Sequence, residues 1–301
     1  MSVMKRVFYA EKRIEHLLNK KLVISILALI TIILPLNFFI SRYSNANSAQ
    51  FPGQGKNWKL VFDDEFNGKS LDTTKWIPCF HWGTTAGCAS STTPQTWYAP
   101  GNVIVSNGTL KLEARKGAVT ENGKTYPYTS AMITTGPLDS TRSSAKFHFT
   151  YGYTEIRAKI PKGQGLWPAF WALPTDNSEL PELDVSEILT GAGLTTYTNN
   201  MTYNTVHDNN HASSARWMSP VDLASGFHVY AADWEPEGIH WYVDGVERRS
   251  AFTDSKNITA KQMYLLIQLE VGGAWPGSPD SKTTFPSVYE IDYVKVWQHS
   301  H

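Results

Sequence analysis

Three dipeptides, Asn107-Gly108, Asn122-Gly123 and Asp244-Gly245, separate short runs in which apolar and polar residues alternate. Such pairs supply the positive φ values of two-residue hairpin turns, and alternation with a period of two buries one face of a strand. "NVIVSNGTLKLEA" (102–114) and "IHWYVDGVERRS" (239–250) each read as two antiparallel strands around one of these turns. "AKFHFTYGYTEIRAKI" (145–160) reads as one long strand with Phe147, Phe149, Tyr151 and Tyr153 on a common face. "MYLLIQLEV" and "YEIDYVKVW" add two strands near the end of the chain. No window after residue 45 carries a helical period. The predicted fold is therefore all-β: a two-sheet antiparallel jelly-roll sandwich over residues 59–299.

The first 49 residues are of another kind. Lys5, Arg6, Lys12, Arg13, Lys20 and Lys21 precede a charge-free apolar run, Leu22–Ile40, and small residues follow it. This is the pattern of an export signal, and the run is also long enough to remain as a membrane anchor. Either outcome puts the rest of the chain outside the cytoplasm, as a secreted or tethered protein. Residues 50–58 read as a linker. In an exported protein Cys79 and Cys88, nine positions apart, are expected to form a disulfide worth roughly 2–3 kcal/mol. Elsewhere 27 acidic and 27 basic residues balance, which gives no electrostatic footprint for nucleic acid. The membrane is a partner only through the N-terminal segment, and the chain is expected to be a monomer.

One predicted strand carries an unusual load. "PELDVSEIL" (181–189) places Glu182, Asp184 and Glu187 among apolar residues. Alternation puts Glu182 and Asp184 on one face and turns Glu187 to the other. A one-residue bulge around Val185–Ser186 brings Glu187 back. The two glutamates then stand about 13 Å apart at Cα, and inward-leaning side chains bring their carboxyls to about 5–5.5 Å, the spacing of a retaining glycosidase. Asp184 between them would hydrogen-bond one glutamate, and three acids on one face require at least one pKa to rise. A calcium-binding or merely solvated acidic edge is the plainer reading of the same letters.

Eleven tryptophans exceed what a core alone needs, and indole covers the apolar face of a pyranose ring. Trp167 and Trp171 precede the acids in "GQGLWPAFWALP", and Trp275 sits in the Gly/Pro-rich "VGGAWPGSP". His207 lies one strand after the acids, within reach of a carboxylate or a sugar hydroxyl.

At these residues the sequence resembles glycoside hydrolase family 16. "FDDEFNG", "LDTTKW", "YGYTEIRAKIPKGQGLWPAFWALP", "ELDVSE", "FHVYAADWEPEGIHWYVDG", "VGGAWPG" and "IDYVKVWQ" occur in the family's order over about residues 59–298. The spelling Glu-x-Asp-x-x-Glu is similar to the laminarinase-like and bacterial endo-β-glycanase branch. The resemblance implies a concave substrate groove, Glu182 as nucleophile, Glu187 as acid/base and Asp184 as their partner. It also implies groove roles for Trp167, Trp171, Trp275, Asn102, Arg157 and His207. Catalysis would need no cofactor; a structural calcium would fall on Glu65, the Gly108 carbonyl and Asp292. Gln268 and Glu270 stand where laminarinase-like sequences more often carry Asn and Ala, and an inward-facing Glu270 would add an acid near the groove. The expected activity is endo-hydrolysis of β-1,3- or mixed β-1,3/1,4-glucan. A transglycosylase or a depolymerase of succinoglycan-like exopolysaccharide is the alternative on this fold. A carbohydrate-binding jelly roll without turnover is the alternative of another class.

Overall fold

The computed structural model describes residues 58–78, 95–121, 123–137, 144–176, 178, 180–190, 201–207, 212–251 and 258–300. The N-terminal segment expected to serve export and the Cys79–Cys88 loop, with its expected disulfide, lie outside these residues. Among the described residues fifteen strands form the architecture. Six make one layer in the order β10 (Ala212–Met218), β9 (Met201–His207), β8 (Glu182–Ile188), β7 (Leu166–Pro174), β14 (Met263–Val271) and β5 (Lys124–Thr134). The other layer runs β4 (Thr109–Glu121), β15 (Ser287–His299), β6 (Gly152–Lys159), β11 (His228–Glu235), β12 (Gly238–Val243) and β13 (Val246–Ala251). β1 (Trp58–Asp64) pairs with β15, β3 (Val103–Ser106) with β4, and β2 (Thr96–Tyr98) lies parallel to β5.

The layers are joined by a ladder as well as by packing. β4 pairs with β15 through Leu110–Ala114, then with β5 through Arg115–Glu121; β5 carries on to β14 through Ala131–Thr134. A register shift between Lys116 and Val119 lets the hairpin turn this corner. Between the layers lies the main core, in which Phe170, Leu183, Val185 and Ile188 of one layer meet Ile156, Ala232, Trp241 and Val294 of the other. A second, smaller cluster of Tyr98, Met132, Ala169, Trp171, Leu173, Tyr264 and Leu266 covers the outer face of the β10–β5 layer. A sheet buried on both faces reads as a continuous apolar run, which is how "MYLLIQLEV" reads in β14.

The hairpins follow their turn residues. Asn107 and Gly108, at φ 56° and 74°, link β3 to β4, and Asp244 and Gly245, at 52° and 73°, link β12 to β13. The long strand expected over 145–160 is interrupted. Phe149 bridges to Met263 of β14, whereas β6 begins only at Gly152 and pairs with β15 and β11. Between them Tyr151 at φ 59° and Gly152 at φ 133° carry the chain from one layer to the other. Phe147 and Phe149 therefore pack on the main core, while Tyr153 joins Ala231 and Tyr242 on the far side of the β6 layer. A Cβ on Gly152 would sit 2.3 Å from the Trp297 carbonyl oxygen, so only glycine fits this crossing.

Candidate active site

The site is built on β8 and its two neighbours. Against β7, Ala169 opposes Glu187, Phe170 opposes Ser186, and the next residue, Trp171, opposes Asp184, so Val185 is the extra residue. Against β9, Leu183 pairs with Val206 and Glu187 with Tyr203: four steps on β8 for three on β9. This is the bulge expected from the sequence. Its consequence for side-chain direction is visible in the partners. Glu182 and Glu187 oppose His207 and Tyr203, four residues apart on β9 and hence on one face. Asp184 and Glu187 likewise oppose Trp171 and Ala169, two apart on β7. Leu183, Val185 and Ile188 turn into the main core.

The bulge leaves Asp184 without a partner on β9, although it still opposes Trp171 on β7. The Trp241 indole N–H, on β12 of the opposite layer, crosses the core and donates to the Asp184 carbonyl at 2.8 Å. The Arg249 guanidinium lies 4.7 Å from the Trp241 ring centroid. Nothing in the sequence announced this contact, because Trp241 reads there only as an apolar residue of a hairpin.

The three carboxylates share a poorly hydrated face. Asp184 is 2% exposed, and burial, then the charges of Glu187 and Glu182, push its pKa well above the ordinary carboxylate range. Glu182 is also raised, by burial, while a hydrogen bond with Asp184 works in the opposite direction. A hydrogen bond between two carboxyl groups needs a proton on one of them. The stronger upward pressure on Asp184 puts it there, so that Asp184 donates and Glu182 is the better able to stay ionised.

Aromatic residues continue the same face. Trp171 is buried beside Asp184 in the outer cluster. Trp167 packs on that cluster, and its ring meets Trp275 edge-on, with centroids 5.0 Å apart and an interplanar angle of 89°. Trp275 is 42% exposed, as expected of a platform rather than a core residue. The Trp167 indole N–H is shielded from water and has no acceptor among the described residues. The loop carrying Trp275 is tied down: Gln164 Nε2 donates to the Ser278 carbonyl at 2.8 Å, and the Gly272 N–H to the Gly165 carbonyl at 2.8 Å. Glu270, opposite Trp167, faces the same way, as its position suggested. It is 2% exposed and held by Tyr98 and by the Gln268 amide at 3.4 Å.

Other expected site residues fall elsewhere. Arg157 is not on this face. It alternates with core residues Ile156 and Ala158 on β6, points out of the other layer, pairs with Asp292 and lies over Phe227. Asn102 is 3% exposed, and its Nδ2 donates to the Glu113 carbonyl and the Thr129 hydroxyl, both at 3.0 Å, so its amide clamps the turn before β3 to β4 and β5. His207 stands opposite Glu182 in the ladder. Of the residues named for calcium, Glu65 pairs with Lys295 at 2.5 Å, Asp292 with Arg157, and Gly108 sits in the β3–β4 turn beside Asn67. No three acidic, histidine or cysteine side chains among the described residues are grouped to hold a metal ion, so a site here would depend on the Gly108 backbone carbonyl.

A jelly roll whose outer face carries a bulged row of three acids beside tryptophans is the architecture of a carbohydrate-active β-sandwich. The profile of Glycosyl hydrolases family 16 matches residues 91–295, and the chain belongs to that family. It is 35% identical over 254 residues to the endo-1,3-1,4-beta-glycanase ExsH of Rhizobium meliloti, covering 79% of this chain and 51% of that protein. With the beta-glucanase of Rhodothermus marinus it shares 30% identity over 264 residues, 80% of this chain and 85% of the other. The catalytic domain of an endo-1,3-beta-glucanase (laminarinase) from Thermotoga petrophila RKU-1 superposes with a TM-score of 0.70 at 30% identity, covering 82% of this chain and all of that domain. The chain spans about half the length of the two Rhizobium meliloti glycanases it matches.

Proposed function

We propose that this protein is an endo-acting retaining β-glycan hydrolase that cleaves β-1,3- or mixed β-1,3/1,4-glucan outside the cytoplasm. The observation that carries the reading is the Val185 bulge, which turns Glu182 and Glu187 to one face with Asp184 between them. The relatives named as 1,3-1,4-β-glycanases and laminarinases support the substrate class, and the basic-apolar N-terminal pattern supports export.

The chemistry follows from the positions. Glu182, kept ionised by the proton on Asp184, attacks the anomeric carbon and displaces the next sugar's oxygen, to which Glu187 delivers a proton. Glu187, now a carboxylate, takes a proton from water, which attacks the same carbon and releases Glu182. Trp167 and Trp275 hold sugar faces alongside, and the unpaired Trp167 N–H offers a donor to a sugar oxygen.

Glu182→Ala is expected to abolish release of reducing ends from laminarin and lichenan while binding and folding persist, and azide is expected to restore turnover as a glycosyl azide. Glu187→Ala is expected to slow substrates with poor leaving groups far more than activated aryl glycosides. If neither the wild type nor Glu182→Ala releases reducing ends, the protein is a binding module; if Glu182→Ala hydrolyses like the wild type, Glu182 is not the nucleophile and the mechanism fails.

A further inference from the structure

The bulge is what brings Glu187 round, and a bulge is a local choice that the chain must be made to take. A regular β8 would satisfy every ladder hydrogen bond. The bulged one leaves no paired partner on β9 for Asp184, Val185 and Ser186, and it strands the Ser186 hydroxyl, 1% exposed, without an acceptor or donor. Each buried group left without a partner counts against the folded state. Side-chain packing favours the bulge too, since a regular β8 would turn the Glu187 carboxylate into the main core and Ile188 out of it.

The Trp241 indole N–H adds a directed contact. It reaches the Asp184 carbonyl from the opposite layer at 2.8 Å, at a residue that the bulge leaves without a partner on β9. Trp241 is itself fixed: it is 1% exposed within the main core, and Arg249 lies over its ring. A phenyl ring keeps an apolar, though smaller, filling and withdraws the donor from that buried carbonyl, which removes one of the contacts that hold the bulged register in place.

We propose that Trp241 is the positioning residue of the active site. It pins the β8 bulge through the Asp184 carbonyl and so sets the facing of Glu187 and the contact between Asp184 and Glu182. The proposal rests on the hydrolase reading above. It assigns to a residue of the opposite layer, far from any sugar, control over the chemical step. Because Trp241 touches no substrate, its loss should leave binding intact and act on turnover; a misplacement of about 1 Å costs up to a hundredfold in rate.

The test is Trp241→Phe, assayed on a β-glucan at least 20 °C below the melting temperature of the variant (roughly, the margin that keeps it folded). The expected result is a kcat reduced about ten- to a hundredfold with KM within about twofold, and a pH–rate profile altered on its acid side because Asp184 no longer sits squarely against Glu182. A lowered melting temperature with kcat and pH profile unchanged would mean that Trp241 is core packing only, and the proposal falls. If Trp241→Phe does not fold, Trp241→benzothienylalanine, which keeps the shape and replaces N–H by sulfur, reads the same quantities. Inactive wild-type protein would sink the hydrolase reading itself, whereas active wild type with an unimpaired variant sinks only this inference.

Discussion

Asp184 is the residue on which the electrostatics of the site turns. Its carboxyl is pushed up by burial first and by two neighbouring acids second, and the proton it keeps becomes the hydrogen bond that favours ionised Glu182. Removing the donor should therefore raise the pKa of Glu182, since a hydrogen bond to a carboxylate stabilises its charged form. Asp184→Ala is expected to move the acid limb of the kcat/KM profile to higher pH and to lower kcat. Asp184→Asn, which still presents a donor, is expected to leave that limb near its wild-type position. An unchanged limb in the alanine variant would deny Asp184 this role. The bulge and the common face of the three acids are legible because their spacing marks them. The internal partners of Arg157 and Asn102 are not, because sequence shows neither the layer a residue's strand joins nor the groups that occupy its side chain. Trp241 was invisible for the converse reason: its partner lies 57 residues away across the core.

Among elements, hairpins are the most readable and crossings between layers the least. Asn-Gly and Asp-Gly pairs declare their turns through φ, and the structure uses two of them as two-residue links. The passage from Phe149 to β6 has no such flag. Alternation runs unbroken through "FHFTYGY", and only the backbone at Tyr151 and Gly152 reverses which side each residue faces. Gly152→Ala tests how much the crossing depends on the missing side chain. The added methyl meets the Trp297 carbonyl at 2.3 Å in a region of φ that L-residues avoid. A loss of at least about 2–3 kcal/mol in denaturant unfolding is expected. A loss under about 0.5 kcal/mol would mean that the backbone relaxes freely there. The β8 bulge is the readable exception among irregular elements, because a charged residue at an odd offset marks it.

At the scale of the whole molecule, stability and pH are linked through the layer opposite the three acids of β8. Glu155 on β6 is 5% exposed, and burial raises its pKa to about 7 against the hydrogen bonds of Tyr293 and Tyr153 and the charge of Lys295. The folded protein thus holds a proton that the unfolded chain releases near 4.5, so this contribution is full below that pH and is lost as pH rises through about 7. At 1.36 kcal/mol per unit the loss is about 3 kcal/mol. Urea midpoints of wild type and Glu155→Gln are expected to converge at pH 4 and to separate by pH 8 with the variant the more stable (conditions set about one-half to one unit outside the titration). Parallel curves at both pH values would contradict it. The same layer also governs how the chain can be made. β15 is threaded between β4 and β6 and pairs with β1 as well, so the last of the described strands is the middle of its sheet and touches the first of them. β15 must leave the ribosome before that layer can zip, and until then the earlier strands wait with open edges. Refolding should be slow and sensitive to protein concentration, and a truncation that removes β15 should leave aggregate rather than a smaller folded sandwich.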